Sequence, residues 1–325
     1  MNSYEREHIR DIVLRNREIS GVIDSAMRDI AKRLSRTTVV SKKAQLTIMS
    51  DRLAELKKQI QGNIETGVRN QWNLANNKSE TLVNGYLSNI KISDSLYQSF
   101  VTPNINALNA FLDRAEAGMN LSKRVWEITD GINGEMKRLI KTGVLEGKSA
   151  IRLSRELKGF VKGHPIRYAG KLIPGRNLNF QAIRLAATEM NMAFRMSDHL
   201  QNSRLPFVTS VTIELSASHP VSDICDELAG EYPKGFQFVG WHPLCMCIAT
   251  YNNLPPNEFV KYIKTGEINQ SRFTASIPVK AQSYIKKNGD RLLGYKNTPY
   301  WLRDNFDKGL KLKKSVLKVK GEIKL

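Results

Sequence analysis

Apolar residues recur at helical spacing from Ser3 to Arg36, at Ile9, Ile12, Val13, Ile19, Val22, Ile23, Met27, Ile30 and Leu34, with charges between them. That pattern predicts one long amphipathic helix, free to bend at Gly21. After a break at Thr37 to Ser41, a second stripe, Leu46, Met49, Leu53, Leu56, Ile60 and Ile64, predicts another helix from Lys42 towards Leu87. Helices this long draw most of their stability from packing, so they read either as a helical hairpin or as a partner-binding arm.

The helical pattern continues from Asn104 to Val161, broken at Gly118 to Asn120, Gly131 to Gly134, and Gly147 to Lys148. It predicts shorter helices over Asn106 to Glu116, Ser122 to Thr129, Asn133 to Lys141 and Ser149 to Lys158, with Ser122 and Ser149 as N-caps. A loop rich in Gly, Pro and basic residues, GHPIRYAGKLIPGRN, reads as a turn or a mobile connection. Asn179 to Leu200 is again helical, with Ile183, Ala187, Met190 and Phe194 on one face and Arg184, Thr188, Asn191 and Arg195 on the next.

The character then changes. Val208 to Leu215 is β-branched and alternating, and Phe236 to Tyr251 is apolar and aromatic, so both are expected as strands around a Cys/His segment. Short helices are expected at Pro256 to Lys264 and Val279 to Lys287. The fold class is therefore mainly α with a small β element: long N-terminal helices, a helical middle and a compact Cys/His-bearing β region. Three regions follow: a long-helix arm over 1–103, a central domain over 104–252, and a C-terminal extension over 253–325.

Composition narrows the function classes. Of 325 residues, 41% are hydrophobic and 25% charged, which is globular rather than disordered. Fifty Lys and Arg against 31 Asp and Glu give a net charge of +19, so nucleic acid, an acidic partner or a membrane surface could all be attracted. The charged first 20 residues lack the apolar core of a signal peptide, and no stretch is long and apolar enough to span a bilayer. Three cysteines in one short region make a poor disulfide framework, which fits a reducing compartment such as the bacterial cytoplasm. From Lys308 onwards seven lysines, among them Lys311, Lys313, Lys314, Lys318 and Lys320, face one acid, Glu322. That tail suits phosphates or an acidic groove, or is a terminus with solvated lysines. Tyr295, Tyr300, Trp301 and Phe306, just before it, could stack on bases or pack helices.

The segment SASHPVSDICDELAG, followed by WHPLCMC, carries the donor types that zinc prefers: Cys225, His242, Cys245 and Cys247, with His219 in reserve. In an extended strand Cys245 and Cys247 would share a face, with His242 on the turn set by Pro243. Read without a metal, they are buried reduced cysteines. Asp223, Asp226 and Glu227 could hold a hard cation or simply solvate a loop. Deaminase, metalloprotease, P-loop and nucleophile-elbow signatures are absent, so no catalytic residue is assigned.

Three pieces in order, MNLSKRVWEI with EMKRLIKTGVLEGKSAIRLSREL, then IRLAATEMNMAF, then SHPVSDICDELAG with WHPLCMC, resemble the phage Mu F-like minor head protein family, or phage head morphogenesis domain. The resemblance covers about residues 119 to 250. It maps the family's middle-helix Arg and Thr-Glu pair onto Arg184, Thr188 and Glu189, and its His-Pro-x-Cys-x-Cys onto His242, Pro243, Cys245 and Cys247. Asp223 and Gly230 belong to the same motif. Cys225 stands alone where many members have CxxC, with Ser222 in the other place, and His219 can substitute; Met246 replaces the usual Arg. The resemblance implies a virion protein and not an enzyme. It would act inside the head near the portal, in head morphogenesis and DNA packaging or delivery. Its partners would be the portal, other head proteins and packaged DNA through nonspecific phosphate contacts; by its donor types alone, the Cys/His cluster could hold a structural zinc ion. The competing readings are a metal-assisted nucleic-acid hydrolase or toxin-type enzyme, and a DNA-binding protein outside any virion.

Overall fold

A computed structural model describes residues 2–35, 42–116, 118–129, 138–139, 152, 155–157, 166–168, 171–173, 178–216 and 222–317. The architecture is mainly α with a small antiparallel β element, as the patterning predicts. Helix α1 spans Ser3–Ser35 and α2 spans Lys42–Leu87. Asn2 opens α1 by a reciprocal cap: its Oδ1 accepts from the Glu5 N–H at 2.9 Å while Glu5 accepts from the Asn2 N–H. Helix α3, Asp94–Val101, is capped by Ser93, and α4, Ile105–Asp113, by Asn104.

Helical turns over 121–129 start from Asn120, whose side chain accepts from the Lys123 N–H at 2.9 Å. The expected cap at Ser122 is therefore wrong by two residues. The left-handed Gly118 and the Glu116–Met119 bridge turn the chain so that Asn120, not Ser122, meets the first turn. Ser149 lies outside the described residues. The basic loop is more than a turn, since β1, Ile166–Tyr168, and β2, Lys171–Ile173, pair antiparallel. Helix α5, Leu178–Asn202, follows.

Strand β3, Val208–Glu214, is central to a three-stranded antiparallel sheet of order β4-β3-β5, with the short helix α6, Ile224–Leu228, before β4, Gly230–Pro233. The expected strand Phe236 to Tyr251 is corrected: only β5, Ile248–Asn253, forms there. Gly240 at φ 125° and Leu244 at φ 63° cannot lie in a pleated strand, so 234–247 is a folded loop despite its apolar content. Beyond it stand α7, Pro256–Thr265, a 3₁₀ turn, Gln270–Arg272, then α8, Val279–Leu293, α9, Tyr300–Asn305, and α10, Lys314–Leu317. Helix α8 outruns its expected end at Lys287. Gly289 is buried where a Cβ would meet Leu310 Cδ1 at 2.4 Å, so this glycine admits a neighbour rather than stopping the helix.

The chain divides into two units. In one (10–67 and 110–189), the stripes of α1 and α2 are buried, Ile19, Ile23 and Ile30 on the first, Leu56, Ile60 and Ile64 on the second. Val13, assigned to that stripe, is instead 44% exposed. Arg15 bonds Asn63 while Asp29 pairs with Arg52, so these stretches run antiparallel as a hairpin. The other unit (1–9, 68–109 and 190–325) holds the sheet. Its core joins Phe207, Val211, Tyr232, Phe236 and Trp241 to Phe259, Ile285, Trp301 and Phe306 from the later helices. Trp301 and Phe306 are thus core residues and not base-stacking surface. No helix among the described residues is long and apolar enough to cross a membrane.

Candidate metal centre

The site begins where the chain leaves β3 and enters α6. Asp223 caps this helix, accepting from the Cys225 N–H at 2.6 Å, while Asp226 returns a bond to the Asp223 N–H at 2.8 Å. Two of the three carboxylates that could have held a hard cation are thus occupied as a capping box, and Glu227 lies beside Lys280 at 3.8 Å. The cap fixes Cys225 on the first turn of α6, buried at 1% exposure. Gly230 follows at φ 138°, where a Cβ would strike Pro278 Cγ at 2.6 Å, so the motif glycine is required both by backbone and by packing.

The second half is a turn over 242–245, closed by the Cys245 N–H donating to the His242 carbonyl at 3.1 Å. Pro243 suits the second position of such a turn. Leu244 takes the third at φ 63°, which glycine usually occupies, so the surrounding structure holds some backbone strain. Arg195 of α5 supplies much of that hold. Its guanidinium, buried by the loop, donates to the carbonyls of Val239 at 3.2 Å, Cys245 at 2.7 Å and Cys247 at 2.8 Å. A Cβ on Gly240 would sit 2.8 Å from that guanidinium, which explains the glycine.

Cys225, His242 and Cys245 meet with all three ligand atoms within 4.8 Å of one another, so the group could hold a metal ion. The Cys225 and Cys245 sulfurs are 3.9 Å apart. Two sulfurs at about 2.3 Å from one tetrahedral zinc would be about 3.8 Å apart, so this edge needs almost no adjustment. The His242 Nε2 lies 3.1 Å from the Cys225 sulfur, a hydrogen-bonding separation that an ion would open by about 0.4 Å. His242 Nδ1 donates to the Pro243 carbonyl at 2.7 Å, an orientation that turns Nε2 towards the cluster, the nitrogen a metal would take in the neutral ring. Asp223 Oδ2 lies 3.2 Å from the same Nε2 and sets a carboxylate at the edge of the cluster.

The thiols are electrostatically linked. Hydrogen bonds from Cys225 and Cys247, helped by the Arg195 charge and the Trp241 backbone, draw Cys245 well below the usual thiol range despite burial. The bonds with Cys245 and Cys247 push Cys225 far up. For Cys247 the Cys225 contact is the largest influence and pulls downward, but Cys245 and burial outweigh it and raise the thiol to about 12. Cys247 thus touches the cluster electrostatically but is not among the three tightly grouped donors, because its loop is folded and not the extended strand that would align it with Cys245. His219 lies outside the described residues.

Other motif positions go elsewhere. Glu189 is buried and paired with Arg114 at 2.9 Å and with Arg124. Arg184 is exposed, and Thr188 bonds the Arg184 carbonyl at 2.7 Å, so neither joins that group. Lys313 donates to the Arg303 carbonyl at 2.7 Å, whereas Lys311 and Lys314 are exposed; Lys318 and Lys320 lie outside the described residues. The residue that the sequence reading left out of the site is Arg195. Its signal was a charge inside the otherwise apolar run MNMAFRM. Compared with models of known protein families, with curated proteins and with solved structures, the chain has no match.

Proposed function

We propose that the chain is a minor head protein of a tailed bacteriophage, acting near the portal in head morphogenesis and DNA packaging or delivery, with a structural zinc ion at the Cys/His knot. The observation that supports this reading is that residues far apart in the sequence pieces carrying the resemblance are paired within each compact unit. Arg124 of the first piece clasps Glu189 of the second, and both halves of the third build the donor cluster. Cys225, His242 and Cys245 would hold the ion, and the capped α6 and the Arg195-pinned loop orient them. Two buried thiols and a histidine fixed by its second nitrogen suit a site that braces the fold rather than one open to substrate. The partners under this reading are the portal, other head proteins and packaged DNA.

Two measurements test it. Elemental analysis of the purified protein is expected to give about one zinc per chain, and chelation or Cys245→Ser to lower the melting temperature. Mass spectrometry of purified particles is expected to find the chain with the portal. A metal-free protein with a stable Cys245→Ser variant would end the zinc assignment, and absence from particles would end the head assignment.

A further inference from the structure

In the hairpin-bearing unit an open cleft of about 700 Å³ is lined by Lys57, Asp113, Asn120, Ser122, Lys123 and Trp126. Trp126 is 47% exposed, an unusual position for the largest apolar side chain, while Trp72, Trp241 and Trp301 are at most 3% exposed. The Lys57 ammonium lies over the Trp126 ring, 4.5 Å from its centroid, so a cation covers one aromatic face while nearly half of the residue stays open to solvent. Lys123, one helical turn before Trp126, is exposed on the same stretch. The cleft carries one carboxylate, Asp113, against these two ammonium groups.

A flat accessible indole flanked by two lysines matches the two parts of a nucleotide in a single strand. The base has a π-face to stack, and its phosphates carry the charge that lysines neutralise. A duplex would offer the phosphates but keep its bases stacked within the helix. We infer that this cleft binds single-stranded nucleic acid, a base stacking on Trp126 with flanking phosphates beside Lys57 and Lys123. The net charge of +19 on the chain favours such a polyanion over an apolar protein segment. The inference does not rest on the virion reading, and it assigns base contact to residues other than those of the lysine-rich C-terminus.

The test uses the full chain, because Trp126 is the exposed fluorophore among four tryptophans. Oligo(dT) and oligo(U) are titrated separately to distinguish DNA from RNA, each beside a duplex of equal phosphate content. Single strands of at least one kind are expected to quench the emission, and the duplex to quench it much less. In anisotropy with a labelled strand, Trp126→Ala should weaken binding about 10-fold or more, and Trp126→Phe should restore much of it. Lys57→Ala with Lys123→Ala should flatten the slope of log K against log salt by about 1.4, from two lost phosphate contacts. Trp126 and Lys123 are exposed and Lys57 is half-buried, and far-ultraviolet circular dichroism confirms that each variant is folded. Binding without quenching, or undiminished binding by Trp126→Ala, would place the nucleic acid elsewhere and overturn the inference. Equal quenching by duplex would overturn base stacking, and no binding by any strand would leave the cleft to a protein partner.

Discussion

Arg195 is buried, yet its charge faces three backbone carbonyls rather than a carboxylate. A planar guanidinium can span acceptors that lie on separated residues, whereas an ammonium offers one compact point of charge. Arg195→Lys is therefore expected to cost about 1.5–3 kcal/mol through carbonyls left without their charged donor. The urea midpoint measures this, and an unchanged midpoint would show that the loop holds itself. The same substitution should loosen the donor cluster, because Cys245 and Cys247 are fixed through their own carbonyls. The cysteines announce themselves in the sequence. Their clamp does not, because nothing local tells an arginine on a helix face that a loop some fifty residues later will close over it.

Among the elements, α5 does two jobs along one face-to-face sequence. Its first half carries Glu189, whose carboxylate is 1% exposed and held between Arg114 and Arg124. Removing the acid takes the carboxylate from the partly buried Arg124 and leaves Arg114 with Glu116 and the Phe111 carbonyl, so Glu189→Ala should cost about 3 kcal/mol, read by chemical denaturation. A loss below about 1 kcal/mol, the range of surface pairs, would mean that solvent replaces the carboxylate. The helices were legible because a 3.6-residue apolar period survives whatever the helix packs against. The loop at 234–247 was not, because its aromatic residues are buried by the later helices and imitate the composition of a buried strand. Gly240 and the His242-Pro243 turn were visible signals against a strand.

For the molecule as a whole, pH is expected to act through histidines shut away from water. Burial holds His8 and His199 down to about 4 from 6.5. The unfolded chain takes up these protons near pH 6.5 and the folded chain does not until near 4, so their contribution is full above 6.5 and is lost as pH falls through 4. At about 1.4 kcal/mol per pH unit between the two states, each is worth on the order of 3 kcal/mol. Asp198, raised by its burial, works in the opposite direction. Urea unfolding should still show lower stability at pH 4.5 than at pH 7, and a His8→Gln variant should flatten the difference; a level profile would refute it. By itself the sequence determined the helices, the mainly α class, the cluster of cysteines and histidine, and the basic charge, because each is a property of spacing or composition. The tertiary structure alone decided which cysteines meet, that Arg195 pins them, that Glu189 joins two distant arginines, and that Trp126 stays at the surface. Those depend on residues brought together across tens to hundreds of positions, and no local pattern encodes such distances.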